Sequence, residues 1–177
     1  MTLDELNARA ILDATHAAWS CSDVEAMLRH FDDDAVYWCN AGGPRPRPLT
    51  IVGKPMLRYF LESVSSVAES MCVSDYFRLI GGVGRARIEG FVRHKETGLT
   101  LVGTYRQVVT FRDRKIVRLD EYHDAAKMVT FWRHIVGEAK AEVISGQQNE
   151  QGSRPDPRVE GIDIAHSQAV FARAPRS

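Results

Sequence analysis

Cysteine is scarce in this chain: Cys21, Cys39 and Cys72 are its three cysteines in 177 residues, without any Cys-x-x-Cys spacing. An odd, unpatterned set argues against a disulfide framework and fits reduced thiols in a cytoplasm, each a small buried apolar side chain. An excess of one charge is missing too. Lys plus Arg and Asp plus Glu both total 23, and neither sign forms a long run, so there is no electrostatic footprint for nucleic acid or a membrane surface. Apolar runs of spanning length are absent, and the opening MTLDELNARA has acids and helix formers where a secretory signal needs a basic start. The expected location is cytoplasmic. No His-x-His, His-x-x-x-His or paired-cysteine spacing points to a metal, and no cofactor is implied.

What is present is enough for one domain that folds without staples. Thr2-x-x-Glu5 and Ser22-x-x-Glu25 read as capping boxes, so helices are expected to begin near Leu3 and Asp23. Asp32-Asp33-Asp34 ends the helical pattern, and Ala35 to Asn40 reads as a strand. The proline-rich AGGPRPRPLT can only be irregular, because proline removes amide donors and fixes φ. Met56, Leu57, Phe60, Leu61, Val64, Val67, Ala68 and Met71 recur at helical spacing, which predicts a third helix over about Gly53–Ser70.

From there the period changes to two. Strands are expected near Cys72–Ile80, Arg85–His94, Leu99–Phe111 and Ile116–His123, with turns at Glu96-Thr97-Gly98 and Arg112-Asp113-Arg114. Gly81-Gly82-Val83-Gly84 resembles part of a phosphate loop, but it joins two strands rather than a strand and a helix, so it reads as a bend. Asp124 caps a last helix whose apolar stripe runs through Met128, Phe131, Trp132, Ile135, Val136, Ala139 and Val143. Residues 1–145 are therefore read as the domain. Residues 146–177 form a polar, proline-bearing tail, disordered or docked on a partner through Ile162, Ile164, Val170 and Phe171.

Three segments carry a family likeness: Ser22 to Met27 leading into Phe31 to Val36; Gly53-Lys54-Pro55; and Arg114 to Val117 leading into Asp120-Glu121-Tyr122-His123-Asp124. With this element order the chain resembles the nuclear-transport-factor-two-like superfamily, which includes SnoaL-like cyclases, ketosteroid isomerases and limonene epoxide hydrolases. The resemblance implies an α+β cone, a curved antiparallel sheet wrapped around N-terminal helices (a cystatin-like α+β barrel), with an extra C-terminal helix. It further implies a homodimer formed through the outer sheet face, where Trp38 would lie.

Carried over residue by residue, the isomerase positions fall on Thr15, Gln107 and Cys39, none of which keeps its type, so steroid isomerisation by that mechanism is not expected. Of the epoxide-hydrolase set, the tyrosine matches Tyr37 and one acid matches Glu121. The arginine and the other acid fall near Ile88 and Gly90.

Strand alternation then selects the residues that share a pocket. If Glu121 faces inward, so do Leu119 and His123, together with Gly103, Tyr105 and Gln107 on the preceding strand. The expected catalytic set is Glu121 and His123 as base and relay, with Tyr37 polarising the substrate. Asn40, Tyr105, Gln107, Trp19, Thr15, His94 and Leu119 are the expected substrate-binding residues, Asn40 by turning inward to hold a water and His94 from an end of the sheet. The competing reading pairs Glu121 with Arg106 or Arg118 and makes His123 a wall residue. The expected function is a cofactor-free lyase, isomerase, cyclase or hydrolase acting on an apolar or polyketide-like molecule. A non-catalytic ligand-binding or dimeric module of the same fold is the alternative.

Overall fold

The first helix, α1 (Glu5–Ser20), starts where Asp4 accepts a hydrogen bond from the Asn7 amide at 2.8 Å. Asp23 likewise caps α2 (Val24–Leu28) through the Ala26 amide. Both caps are aspartates rather than the predicted hydroxyls, because Asp supplies the same acceptor and its charge favours the positive helix end. The structure, a computed structural model, describes residues 3–137. The predicted tail and the end of the last stripe, Ala139 and Val143, lie outside the described residues, as does Thr2.

Strand β1 (Phe31–Cys39) begins four residues earlier than predicted and takes in the three aspartates. A register shift between Phe31 and Val36 accommodates them. After the proline-rich segment comes a short strand that the sequence reading missed, β2 (Leu49–Val52), antiparallel to β1. Helix α3 (Lys54–Val67) is shorter than predicted, since Ala68 to Met71 already belong to β3 (Ala68–Ile80). Their apolar spacing served both periods, with Ala68 and Cys72 buried as alternate strand residues.

The meander continues through β4 (Val83–His94), β5 (Thr100–Arg112) and β6 (Lys115–Tyr122). Gly81 and Gly82, at φ 57° and 78°, make the β3–β4 turn, a conformation that glycine reaches without steric cost. The sheet order is β2-β1-β6-β5-β4-β3. The sheet is curved and unclosed, and it is mixed rather than wholly antiparallel, because β1 runs parallel to β6. Helix α4 (Ala125–Val136), capped by Asp124 as predicted, closes one end through a cluster of Ala41, Val64, Ala68, Met128, Val129, Phe131 and Trp132. The main core lies at the other end, around Leu12, Leu28, Phe31, Leu57, Ile88 and Ile116, all essentially sealed from solvent. Truncating one of these leucines to alanine would cost about 2–5 kcal/mol. Between the two clusters the inner face is not filled.

Candidate active site

The unfilled region is a cavity of about 320 Å³. It is walled by α1 through Thr15, His16 and Trp19, by α3 through Phe60, Leu61 and Val64, and by α4 through Met128 and Trp132. The sheet contributes its inward residues, among them Tyr37, Cys39, Tyr105, Gln107, Leu119, Glu121 and His123. Eight of the ten expected site residues therefore border one space.

Parallel pairing sets Cys39 directly beside Glu121, and antiparallel pairing sets Gln107 on its other side. The Glu121 carboxylate thus sits between two neighbours on the same face. It accepts hydrogen bonds from Tyr37 Oη at 2.7 Å, from Gln107 Nε2 at 2.7 Å and from His123 Nε2 at 3.1 Å. Neither arginine of the competing reading reaches it, and Arg118 is bonded to Asp120 instead. Burial is the largest influence on the Glu121 carboxyl and would raise it, yet His123, Tyr37 and Gln107 together outweigh burial and hold it below the ordinary 4.5.

The protonation pattern follows from that anion. An ionised carboxylate only accepts, so His123 Nε2 carries the hydrogen of this contact, and Nδ1 is the ring nitrogen not spent on Glu121. The ring is stacked on Tyr105 with centroids 4.1 Å apart and planes at 24°. Tyr37 gives its hydroxyl hydrogen to Glu121, so only its oxygen lone pairs remain for another partner. Burial, reinforced by the Glu121 charge, keeps the phenols of Tyr37 and Tyr105 far above their usual range.

Gln107 spends one amide hydrogen on Glu121, so its carbonyl oxygen faces His16, and His16 Nε2 donates to it at 2.9 Å. Burial is what lowers the His16 pKa and keeps this ring neutral. Its Nδ1 is buried without a partner among the described residues. The sequence reading left His16 out of the site, although its spacing to Leu12 and Trp19 on α1 places all three on one helix face.

Two expected ligand residues lie elsewhere. Asn40 donates through Nδ2 to the His123 carbonyl and accepts through Oδ1 from the His123 amide, both at 2.9 Å. Its amide therefore braces the β1 and β6 ends and holds no water in the cavity. His94, buried at the β4 end, shares a hydrogen bond with the Thr97 hydroxyl in the turn. Thr15 does border the cavity but gives its hydroxyl to the Ile11 carbonyl at 2.8 Å.

Cys39, Glu121 and His123 place one possible metal-ligand atom each within 4.8 Å of one another. In this arrangement the Glu121 carboxylate and His123 Nε2 are bonded to each other, so a metal would have to replace that contact. Burial, with Glu121 second, pushes the Cys39 thiol up to about 12, so it is a poor thiolate donor as it stands.

The fold, a curved and unclosed sheet packed on helices, is shared by solved proteins. An NTF2-like protein of unknown function from Burkholderia pseudomallei is 18% identical with a TM-score of 0.63, over 71% of this chain and 97% of that one. An LEH-like epoxide hydrolase from M. tuberculosis is 16% identical at 0.60, over 80% and 98%. A protein with a ketosteroid-isomerase-like fold from Catenulispora acidiphila, in complex with trimethylamine, is 15% identical at 0.60, over 69% and 91%. No family model and no curated protein matches the sequence. The chain has the cone fold of NTF2-like proteins. Within that fold it carries the architecture that ketosteroid-isomerase-like and epoxide-hydrolase-like proteins share.

Proposed function

We propose that this chain is a small-molecule enzyme working by general acid/base chemistry, a lyase, isomerase, cyclase or hydrolase for an apolar, ring-bearing or polyketide-like substrate. The observation that carries the reading is the Glu121 carboxylate, held by three donors of which His123 is one. A carboxylate so saturated is a poor direct base and a good orienter. The proton is therefore moved by His123 Nδ1, while Glu121 stabilises the imidazolium as it forms. Stacking on Tyr105 adds to that stabilisation. Returning the proton to a second atom of the same molecule gives isomerisation, and returning it to a departing oxygen gives elimination or ring opening.

Mostly hydrocarbon walls support an apolar substrate. The trimethylamine bound by the Catenulispora acidiphila neighbour and the reaction class of the epoxide hydrolase neighbour agree with a small-molecule site. We further read the chain as a cytoplasmic homodimer joined through the outer sheet face, where Trp38 and a half-exposed Tyr122 pack at a tilt with centroids 5.1 Å apart. The test is mass spectrometry of compounds retained by the purified protein, followed by turnover of the compound found. His123→Ala that still turns it over at the wild-type rate would remove the proposal. A binding module is the second reading, favoured by the hydroxyl of Tyr37 and the amide of Gln107 being spent on Glu121 rather than turned to a ligand. It predicts retention of the compound without any turnover.

A further inference from the structure

Two glycines face each other in the middle of long strands, Gly90 on β4 and Gly103 on β5. Glycine in a strand interior weakens it and needs a reason. For Gly90 the reason is close packing, because an added Cβ would meet the Met71 carbonyl oxygen at 2.3 Å and Cys72 at 3.1 Å. Gly103 has no such reason. Among the described residues a Cβ there would meet nothing within 4 Å, and its φ lies outside the positive range. Packing and backbone geometry would both accept a side chain at this position.

Its place in the sheet supplies the missing reason. Strand β5 pairs with β4 from Thr100 to Thr110, but with β6 only from Arg106 to Arg112. Among the described residues nothing pairs with Thr100 to Tyr105 on the β6 side, where the chain leaves the sheet at His123 and turns into α4. Gly103 and Thr104 are exposed at this edge and also border the cavity, which Lys127 and Met128 of α4 border as well. By strand alternation Gly103 shares the inner face with Tyr105, two residues along and roughly 7 Å away, and Tyr105 carries the His123 ring.

We propose that the gap where β6 stops short of β5 is the entrance to the cavity, and that Gly103 sets how bulky an apolar molecule can pass to His123. This rests on the small-molecule reading of the cavity and deepens it by orienting the ligand. Its reacting group goes to the His123 floor, and its ring-bearing body passes over Gly103 with no side chain in the way. The class selected is an apolar molecule of two linked ring systems, wider than one that a side chain at this position would admit.

The test uses the full chain and two probes, N-phenyl-1-naphthylamine for two linked ring systems and phenol for one ring, with Gly103→Val and, as control, Gly43→Val. Gly43 also has open space around it but does not border the cavity. Expected is roughly tenfold or greater weakening of the naphthylamine in Gly103→Val, with phenol within about twofold of wild type. Thermal stability should be equal or higher, because valine suits a strand better than glycine. Gly43→Val should bind both probes as wild type does. Equal binding of the naphthylamine by wild type and Gly103→Val, or equal loss of both probes, overturns the gate while leaving the cavity reading intact. Failure of both probes to bind wild type overturns the small-molecule reading itself. If Gly103→Val does not fold, Gly103→Ala gives the same ordering of probes with a smaller change, and its absence overturns the gate.

Discussion

The Nε2 of His123 lies 3.1 Å from the Oε2 of Glu121, two residues back along the inner face of β6. That one contact sets the tautomer, and with it which ring nitrogen is available to a substrate. Replacing Glu121 by Gln offers a neutral amide with two possible orientations, so the ring is no longer held with its hydrogen on Nε2. Turnover of the compound found by mass spectrometry is expected to fall by roughly 10²- to 10⁴-fold, with its binding little changed. A change confined to KM would mean that Glu121 contacts substrate rather than orienting His123.

Acid should destabilise the fold in two stages. His16 ordinarily titrates near 6.5, and burial lowers this despite the opposing influence of Gln107, Glu121 and Asp13. Below about pH 6.5 the unfolded chain takes up a proton that the folded chain refuses, so stability is complete above that pH and declines as pH falls toward the lowered folded value. Glu121, ordinarily 4.5 and held lower in the fold, acts further down: its contribution is complete above 4.5 and is lost as pH falls through the folded value. Urea midpoints measured from about pH 8 to pH 3 should show both declines. His16→Gln should shrink the upper one without touching the lower, leaving the share of His30, whose pKa burial and then Lys115 and Arg29 also lower, and an upper decline of unchanged size in His16→Gln would contradict the role of His16.

How far the site was legible beforehand follows from the sheet. Period-two alternation over Leu119, Glu121 and His123, and over Tyr105 and Gln107, put those side chains on one face, and the turn at Arg112-Asp113-Arg114 aligned the two strands. His16 was harder to find. A histidine in an amphipathic helix looks like ordinary core, and its link to Gln107 spans 91 residues of sequence. Asn40 was expected to turn into the cavity at a bend of the strand end, and local sequence could not show what it meets there instead. The β1–β6 pairing is parallel and non-local, and it brings the Asn40 amide onto the His123 backbone. The Ala68–Met71 segment fitted both periods, so only tertiary packing could assign it to β3.

The three thiols should separate cleanly by reactivity. Cys21 is exposed, whereas Cys39 and Cys72 are buried, and burial, with the Glu121 charge second, pushes each of these two up to about 12. The thiolate is the reactive form. Native protein at about pH 8 is expected to take one equivalent of iodoacetamide quickly, and denatured protein all three. Rapid labelling of Cys39 in the native state would show that the wall beside Glu121 opens.

Asn40 offers a way to disturb His123 without touching the cavity. Its amide satisfies both the N–H and the C=O of His123, so Asn40→Ala strands two partly buried backbone groups at about 1–3 kcal/mol for each that water does not reach. The urea midpoint should drop accordingly. Turnover should drop as well, because the backbone that aims the imidazole is no longer held from β1. His94→Ala is the matched comparison, since that ring is tied to Thr97 at the far turn and its loss should lower stability while leaving turnover per folded molecule unchanged. If Asn40→Ala loses stability but keeps full turnover, the aim of His123 does not depend on its backbone brace, and Glu121 and Tyr105 alone hold the ring.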